Sequence, residues 1–176
     1  MPMKFGTKVI HAGQKPDPVT GAIMTPIYQT STYVQESPGK HKGYAYARGK
    51  NPTRTALEKC IAELENARYG LCFSSGMGAT DAVAKLLRPG DEVITGDDLY
   101  GGTYRMFTKI FAHYGIKFHF IDLKDAANIK KYITPKTKLL WVETPTNPTL
   151  QIIDIAACAK IAKENKIIFA VDNTFA

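Results

Sequence analysis

The feature that most constrains this chain is an alternation of short apolar runs with helical segments between residues 71 and 172. Apolar runs of about four to eight residues, bounded by turn residues, are typical of strands that helices cover on both faces. Alternating strands and helices joined by right-handed crossovers form a parallel sheet. We therefore predict an α/β fold with an open, mostly parallel sheet. Its five predicted strands are residues 71–74, 92–95, 116–123, 138–143 and 167–172.

Residues 1–50 precede this alternation and show no helical or strand period. They are rich in Pro, Gly, Thr and Tyr, and we expect an ordered arm that lies on another surface, with 37–43 as a mobile loop. A helix is predicted next, because Asn51 is a good N-cap and Pro52 suits the first helical position. We expect this helix to end at Gly70. Its apolar residues at helical spacing are Leu57, Ile61, Leu64 and Ala67.

Composition excludes several classes of protein. Hydrophobic residues make up 44% of the chain and charged residues 22%, as in ordinary globular domains. No apolar run approaches the length of a membrane span, and the first residues lack a secretory signal, so a cytoplasmic location is predicted. The net charge of +7 comes from dispersed lysines, which favours a solvated surface over a nucleic-acid site. The histidines lack metal-ligand spacing, so we expect no zinc site.

Small and polar residues follow the predicted strands, in the segments SSGMGA, GDDLYGGT, ETPTNPT and DNT. In open α/β sheets, ligands bind at the carboxyl ends of the strands. The segment 75–78 joins a strand to a helix, so its amides suit a phosphate, although a tight turn explains the same residues. It is not a dinucleotide fingerprint, because Asp81 stands where the third glycine belongs.

Two acidic residues, Glu143 and Asp172, end apolar strands. A carboxylate at such a position is costly unless it is paired. Asp172 can pair with a cationic ring nitrogen, a lysine or a metal, or it can accept hydrogen bonds from its own loop. For Glu143 the same alternative holds, that it accepts hydrogen bonds from its own loop. Tyr100 opens a glycine-flanked turn, where its ring either approaches a ligand or packs in the core.

Several motifs together resemble one family. The stretches TPIYQTSTY, YARGKNPTR, SSGMGA, DDLYGGTYR, ETPTNPT and VDNTF occur in this order and span nearly the whole chain. They are similar to segments of the trans-sulfuration enzymes, which include cystathionine γ-synthase, cystathionine γ- and β-lyase, methionine γ-lyase and O-acetylhomoserine sulfhydrylase. The resemblance implies an aspartate-aminotransferase-like (fold type I) large domain, preceded by an N-terminal arm, that binds pyridoxal 5'-phosphate (PLP).

The resemblance also implies roles for individual residues. Tyr100 is expected to stack on the cofactor ring and to act in proton transfer, and Asp172 is expected to pair with the ring nitrogen. Arg105 matches an arginine that faces the distal end of the substrate in some members. The other cofactor contacts implied are Ser75, Gly76, Met77, Glu143, Asn147 and Thr174, with Tyr46 and Arg48 reaching the phosphate of a neighbouring subunit.

The resemblance implies a homo-oligomer, a dimer of dimers that shares active sites across subunits. Residues 1–57 are expected to contact a neighbouring subunit, and residues 58–176 to form the first, incomplete part of the PLP-binding domain. The Schiff-base lysine and the substrate-carboxylate arginine are expected beyond Ala176, so these 176 residues alone are predicted to be inactive. In the family's strand order, two further strands separate the first predicted strand from the fifth, and we expect other polypeptide to fill that gap.

The predicted function is PLP-dependent elimination or replacement on a sulfur amino acid or activated homoserine, of the cystathionine γ-lyase or γ-synthase type. Two departures bear on it. Ala45 stands where several members carry Asp or Glu, which counts against a synthase. Gly102 stands where methionine γ-lyases have cysteine, which favours a cystathionine-type enzyme. A non-catalytic fragment of the PLP fold and a nucleotide-binding domain are the alternatives from other classes, and the broken glycine fingerprint argues against the latter.

Overall fold

The structure, a computed structural model, describes residues 3–176. The chain divides into two compact units, one that ends at Ser74 and one that spans Ser75–Ala176. The boundary predicted at residue 57 is of a different kind, because it separates residues expected to contact a neighbouring subunit from the PLP-binding domain. It stays a prediction. Within the described residues, no helix has the length and apolar character needed to cross a membrane.

Two helices pack together in the first unit. Helix α1 spans Phe5–His11 and helix α2 spans Pro52–Leu64. Asn51 accepts a hydrogen bond from the amide of Thr53 at 2.8 Å, which confirms the predicted N-cap. The chain passes so close to α2 at Gly13 that a β-carbon there would lie 2.6 Å from the Cys60 nitrogen. Glycine, with φ of +72°, is therefore required at this turn.

The arm has more regular structure than its sequence indicates. Helix α1 was not predicted, because none of its residues is buried and its apolar residues therefore mark no inward face. The segment 37–43, predicted as a mobile loop, overlaps an antiparallel hairpin of β1 (Gln35–Ser37) and β2 (Lys40–His41). Gly39 makes the tight turn between the two strands with φ of +79°.

Helix α2 is shorter than predicted and turns a different face inward. It ends at Leu64 rather than near Gly70, and Asn66 adopts a left-handed φ of +50° that a right-handed helix does not contain. Ala62 is buried on this helix, whereas Leu57 and Ile61 are exposed.

The first predicted strand is wrong. Residues 71–74 form no strand, and nothing among the described residues pairs with them in a ladder. An apolar, β-prone run becomes a strand only where a neighbouring strand bonds to its amides and carbonyls. The described chain therefore has four strands in its main sheet rather than the predicted five.

The other four predicted strands form one parallel sheet in the second unit. They are β3 (Glu92–Gly96), β4 (Lys117–Ile121), β5 (Thr137–Glu143) and β6 (Ile168–Asp172). Their order across the sheet is β4-β3-β5-β6, and every neighbouring pair is parallel. This confirms the predicted neighbour relations among these strands. Parallel strands place all their carboxyl ends at one edge, which gathers the loops that follow them.

Helices cover both faces of this sheet and bury a core on each. Helix α5 (Ile155–Glu164) and a 3₁₀ turn (Ala126–Lys131) pack on one face, against Ile94 and Leu140. Helices α3 (Gly76–Ala84) and α4 (Gly101–Lys109) pack on the other face, against the sheet residues Val93, Leu139 and Trp141. The sheet strands are consequently apolar on both sides, as the sequence predicted.

Helix α4 is followed directly by a tighter helical turn. The backbone leaves the α-helix at Ile110, and residues Phe111–Tyr114 form a 3₁₀ turn. Phe111 is buried, four positions after the buried Phe107, while Ile110 and Tyr114 are exposed.

Candidate functional site

The carboxyl edge of the sheet contains a cavity of about 300 Å³. It lies entirely within the second unit, among the loop before α3, the start of α4 and the ends of β5 and β6. The predicted site residues that line it are Ser75, Gly76, Met77, Tyr100, Glu143, Asn147, Asp172 and Thr174. The structure thus brings together in one cavity residues that are up to 99 positions apart in the sequence (75 to 174).

The N-terminus of α3 forms one wall of the cavity. Ser75 is the N-cap, and its hydroxyl accepts a hydrogen bond from the Gly78 amide at 3.1 Å. Among the described residues, the amides of Gly76 and Met77 have no acceptor. A β-carbon added at Gly76 would meet no atom within 4 Å, so the space beside this turn is open. Free amides at the positive end of a helix suit an anion such as a phosphate group.

Tyr100 lies at the start of α4, in the position that precedes the first helical residue. Tyr100 is 44% exposed and lines the cavity, so the core-packing alternative does not hold. The ring passes close to Gly102, and both it and the Met77 sulfur lie where a side chain at Gly102 would stand. The glycine leaves room for an aromatic face that a flat ligand can stack on.

Glu143 connects two loops below the cavity. One carboxylate oxygen, Oε2, accepts a hydrogen bond from the Tyr100 amide at 2.8 Å. The other, Oε1, accepts one from the Asn147 amide at 2.7 Å. Burial raises the pKa of Glu143, which is only 6% exposed; the two amide bonds oppose that shift, and the carboxylates of Asp172 and Asp98 add to it. Glu143 therefore accepts its hydrogen bonds from loop backbone, which agrees with the alternative that this acid pairs with its loop rather than with a ligand.

Asp98 forms a second polar cluster that sequence reasoning did not select. Its Oδ2 accepts short hydrogen bonds from the hydroxyls of Thr146 and Thr149. Burial would raise the pKa of Asp98, but these hydroxyl bonds outweigh burial and lower it. The residues lie in the segments GDDLYGGT and ETPTNPT, so their polar composition was visible, but their pairing spans 48 positions and was not.

Asp172 ends β6 and offers the cavity one unused oxygen. Its Oδ1 accepts hydrogen bonds from the amide of Thr174 at 3.1 Å and from the Thr174 hydroxyl at 2.6 Å. Within residues 3–176, Oδ2 accepts no hydrogen bond. The loop-partner alternative thus accounts for one oxygen of Asp172, and the other remains available to a cationic group of a ligand.

Three predicted site residues do not line this cavity. Arg105 lies on the exposed side of α4, with its guanidinium close to Gly101. Tyr46 and Arg48 belong to the first unit, where Arg48 Nη2 donates to the Tyr46 hydroxyl at 3.2 Å and its Cζ lies 5.2 Å from the centre of the ring. Both side chains are exposed. Their predicted roles stay predictions.

The cavity also contains residues that the sequence did not single out. These are Thr80, Thr103, Pro145 and Phe175. Thr80 donates to the Gly76 carbonyl at 3.1 Å and stabilises the turn above it. The Thr103 hydroxyl is buried and has no partner among the described residues, which makes it an orphaned donor beside the cavity. Thr103 sits in the same YGGT turn as Tyr100, and that turn was the available signal.

Comparison with known proteins is consistent across sequence and structure. The model of a protein family described as "Cys/Met metabolism PLP-dependent enzyme" matches residues 6–176. The chain is 55% identical over 171 residues to a cystathionine beta-lyase of Coxiella burnetii, covering 97% of this chain and 44% of that protein. It is 52% identical over 172 residues to a probable cystathionine gamma-synthase of Herpetosiphon aurantiacus, covering 98% of this chain and 54% of that protein.

Two solved structures share the fold. The crystal structure of metB from Corynebacterium glutamicum superimposes with a TM-score of 0.94 at 47% identity, covering 99% of this chain and 46% of that one. A cystathionine gamma-lyase from Lactobacillus plantarum, complexed with L-serine, gives a TM-score of 0.94 at 45% identity, covering 99% and 45%. The chain thus spans about half the length of the relatives that it matches.

Proposed function

Because this chain belongs to the Cys/Met metabolism PLP-dependent enzyme family, we propose that the complete protein catalyses elimination or replacement at the side chain of a sulfur amino acid or activated homoserine. The observation that carries the proposal is the cavity at the carboxyl edge of the sheet. It combines free helix amides, an exposed aromatic ring and an acid with an unused oxygen.

The cavity residues fit PLP at each of its distinct groups. The amides of Gly76 and Met77 suit the phosphate, with Ser75 holding the turn in place. The Tyr100 ring suits the face of the pyridine, and Asn147 and Thr174 line the same cavity. Asp172 suits the ring nitrogen through Oδ2. The cofactor supplies an electron sink for charge that develops next to the substrate's amino group.

Asp172 has the central electrostatic role in this proposal. Its carboxylate holds a proton on the ring nitrogen, because the negative charge favours the protonated form of a group that it contacts. Thr174 fixes the orientation of the carboxylate through its two hydrogen bonds to Oδ1. Tyr100 holds the ring plane and places its own hydroxyl where it can accept or donate a proton during the reaction.

The arm contributes to the site of a neighbouring subunit in this proposal. Arg48 and Tyr46 are exposed and already paired, so the guanidinium and the hydroxyl form one preassembled group. An arginine can bind phosphate oxygens with two parallel hydrogen bonds. This arrangement requires a homo-oligomer, and we propose a dimer of dimers in which residues 1–57 cross the subunit interface. A cytoplasmic location stays a prediction.

The substrate and the reaction type are the finest part of the proposal. We favour a cystathionine γ-lyase or γ-synthase activity, with methionine γ-lyase or O-acetylhomoserine sulfhydrylase activity as the alternative. Arg105 is the candidate for contact with the distal end of the substrate. We place the Schiff-base lysine beyond Ala176, so the 176 residues alone are expected to be inactive.

The test uses the complete protein with PLP. A bound cofactor is expected to give a visible absorbance band that migrates with the protein on gel filtration. With cystathionine as substrate, γ-elimination releases cysteine, 2-oxobutyrate and ammonia, whereas β-elimination releases homocysteine, pyruvate and ammonia. A synthase instead joins cysteine to an activated homoserine. The absence of a band in folded protein supplied with PLP would contradict the proposal.

A further inference from the structure

Glu143 binds the backbone of two loops that carry different side chains of the cavity. The loop after β3 contains Tyr100, and the loop after β5 contains Asn147. Each loop donates one amide, at 2.8 and 2.7 Å, to a different oxygen of the same carboxylate. Because β3 and β5 are adjacent strands, a single side chain at the end of β5 reaches both loops.

The two amides require a carboxylate rather than an amide side chain. Both donors point at the same group, so both of its polar atoms must be acceptors. Glutamine offers one oxygen and one NH₂ group, and its NH₂ would face a backbone N–H. The carboxylate of Glu143 is buried near Asp172 and Asp98, which is electrostatically unfavourable. The hydrogen bonds that it accepts come from two backbone amides, and these offset part of that cost.

Asp98 supports the same connection from the opposite side. It lies in the loop after β3, and it accepts hydrogen bonds from Thr146 and Thr149 in the loop after β5. These two threonines flank Asn147 in the sequence. Three hydrogen bonds to the two carboxylates therefore run between the loop after β3 and the end of β5 with its loop, and the fourth, from the Asn147 amide, holds that loop against its own strand end.

From this geometry we infer that Glu143 is a positioning residue, which sets the Tyr100 ring and the Asn147 side chain in register with one another and exchanges no proton with the substrate. The inference rests on the proposed function, since Tyr100 and Asn147 are among the side chains proposed to contact the cofactor. Glu143 lines the cavity, but its two oxygens are engaged by backbone amides. Its effect on the cofactor therefore passes through Tyr100 and Asn147.

The first experiment measures amide hydrogen exchange in the complete protein without PLP. Glu143→Ala removes both acceptors and is expected to accelerate exchange in the segments 97–104 and 144–151. Glu143→Gln keeps one acceptor and is expected to accelerate exchange in one of them. Glu164→Gln, at the exposed end of α5, is the matched control and should change neither. Unchanged exchange in both segments of both Glu143 variants would overturn the inference.

The second experiment measures the PLP dissociation constant. We expect Glu143→Gln to weaken binding about tenfold, the effect of one hydrogen bond to a charged group. In a Tyr100→Ala/Asn147→Ala background the same change should have an effect below about twofold, because no side chain remains to be positioned. A tenfold effect that persists in this background would mean that Glu143 acts on the cofactor directly or on the whole fold, and would refute positioning.

The two experiments separate this inference from the proposed function. If wild-type protein binds no PLP, the proposed function fails, while hydrogen exchange still decides whether Glu143 holds the two loops. A general loss of structure would be recognised by faster exchange in β3 to β6 as well as in the loops. Should Glu143→Ala not fold, the Glu143→Gln protein carries both measurements.

Discussion

The ring of Tyr100 lies so close to Gly102 that a β-carbon at Gly102 would clash with Tyr100 Cε1. The sulfur of Met77 would be 3.0 Å from the same β-carbon. Both neighbours also line the cavity, so the absence of a side chain at this position determines where the ring lies. A side chain added at Gly102 must displace the Tyr100 ring, the Met77 sulfur or both.

Gly102→Ala is therefore expected to impair the site without destabilising the helix. Alanine favours a helix over glycine by about 1 kcal/mol, so the melting temperature should not fall. A displaced ring should lower kcat/KM by about 10- to 100-fold. Gly6→Ala is the matched control, because Gly6 is also a helical glycine and a β-carbon there would meet no atom within 4 Å. Equal activity of the two variants would show that the ring position is unimportant.

Asp172→Asn should reduce kcat by about 10²–10³-fold with PLP saturating, because a neutral amide no longer holds the proton on the ring nitrogen. The side chain keeps its size and can still accept a hydrogen bond from Thr174. Asp122→Asn is a close control. Asp122 directly follows another parallel strand and, like Asp172, accepts a hydrogen bond from the amide two residues later, here that of Lys124 at 2.9 Å. A loss below threefold for Asp172→Asn would refute its role.

Arg48→Ala should weaken PLP retention by about 10-fold or more, because an arginine–phosphate contact is charge-assisted. If Arg48 serves a neighbouring subunit, mixing Arg48→Ala subunits with Asp172→Asn subunits restores one intact site in each mixed dimer. Activity of verified mixed oligomers is the measurement. Mixed dimers no more active than the two parent variants would exclude the intersubunit role.

The opposite end of the sheet contains a buried acid whose titration should affect stability. Glu92 accepts a hydrogen bond from His119 at 2.9 Å and one from Thr134 at 3.1 Å, and Lys117 Nζ lies 3.9 Å away. The His119 contact is the main cause that lowers the pKa of Glu92; burial opposes it, and the Thr134 hydroxyl and the Lys117 and His119 charges contribute further lowering.

A lowered pKa means that Glu92 stabilises the fold while it is ionised. This contribution is fully present above the ordinary glutamate value of 4.5 and is lost as the pH falls through the lower folded-state pKa. Glu92→Gln should therefore reduce the free energy of unfolding near pH 7, and the difference from wild type should shrink in acid. Urea unfolding at fixed protein concentration, repeated between about pH 7 and pH 3, checks this. A difference that does not vary with pH would contradict it.

Local sequence patterns determined much of this protein. The apolar runs of β3, β4, β5 and β6 fixed the parallel sheet and its two covered faces, because a strand buried on both sides must be apolar throughout. The cap Asn51 marked the start of α2. Small and polar residues after the strands located the cavity, because parallel strands end at one edge.

Only the tertiary structure decided which polar groups meet and which apolar runs find partners. Glu143 bonds to an amide 43 positions away, and Asp98 to hydroxyls 48 and 51 positions away, so no local pattern specifies these pairs. Their geometry follows from the packing of β3 beside β5. Residues 71–74 have the composition of a strand but form none, since a strand depends on hydrogen bonds from a neighbour that composition does not encode.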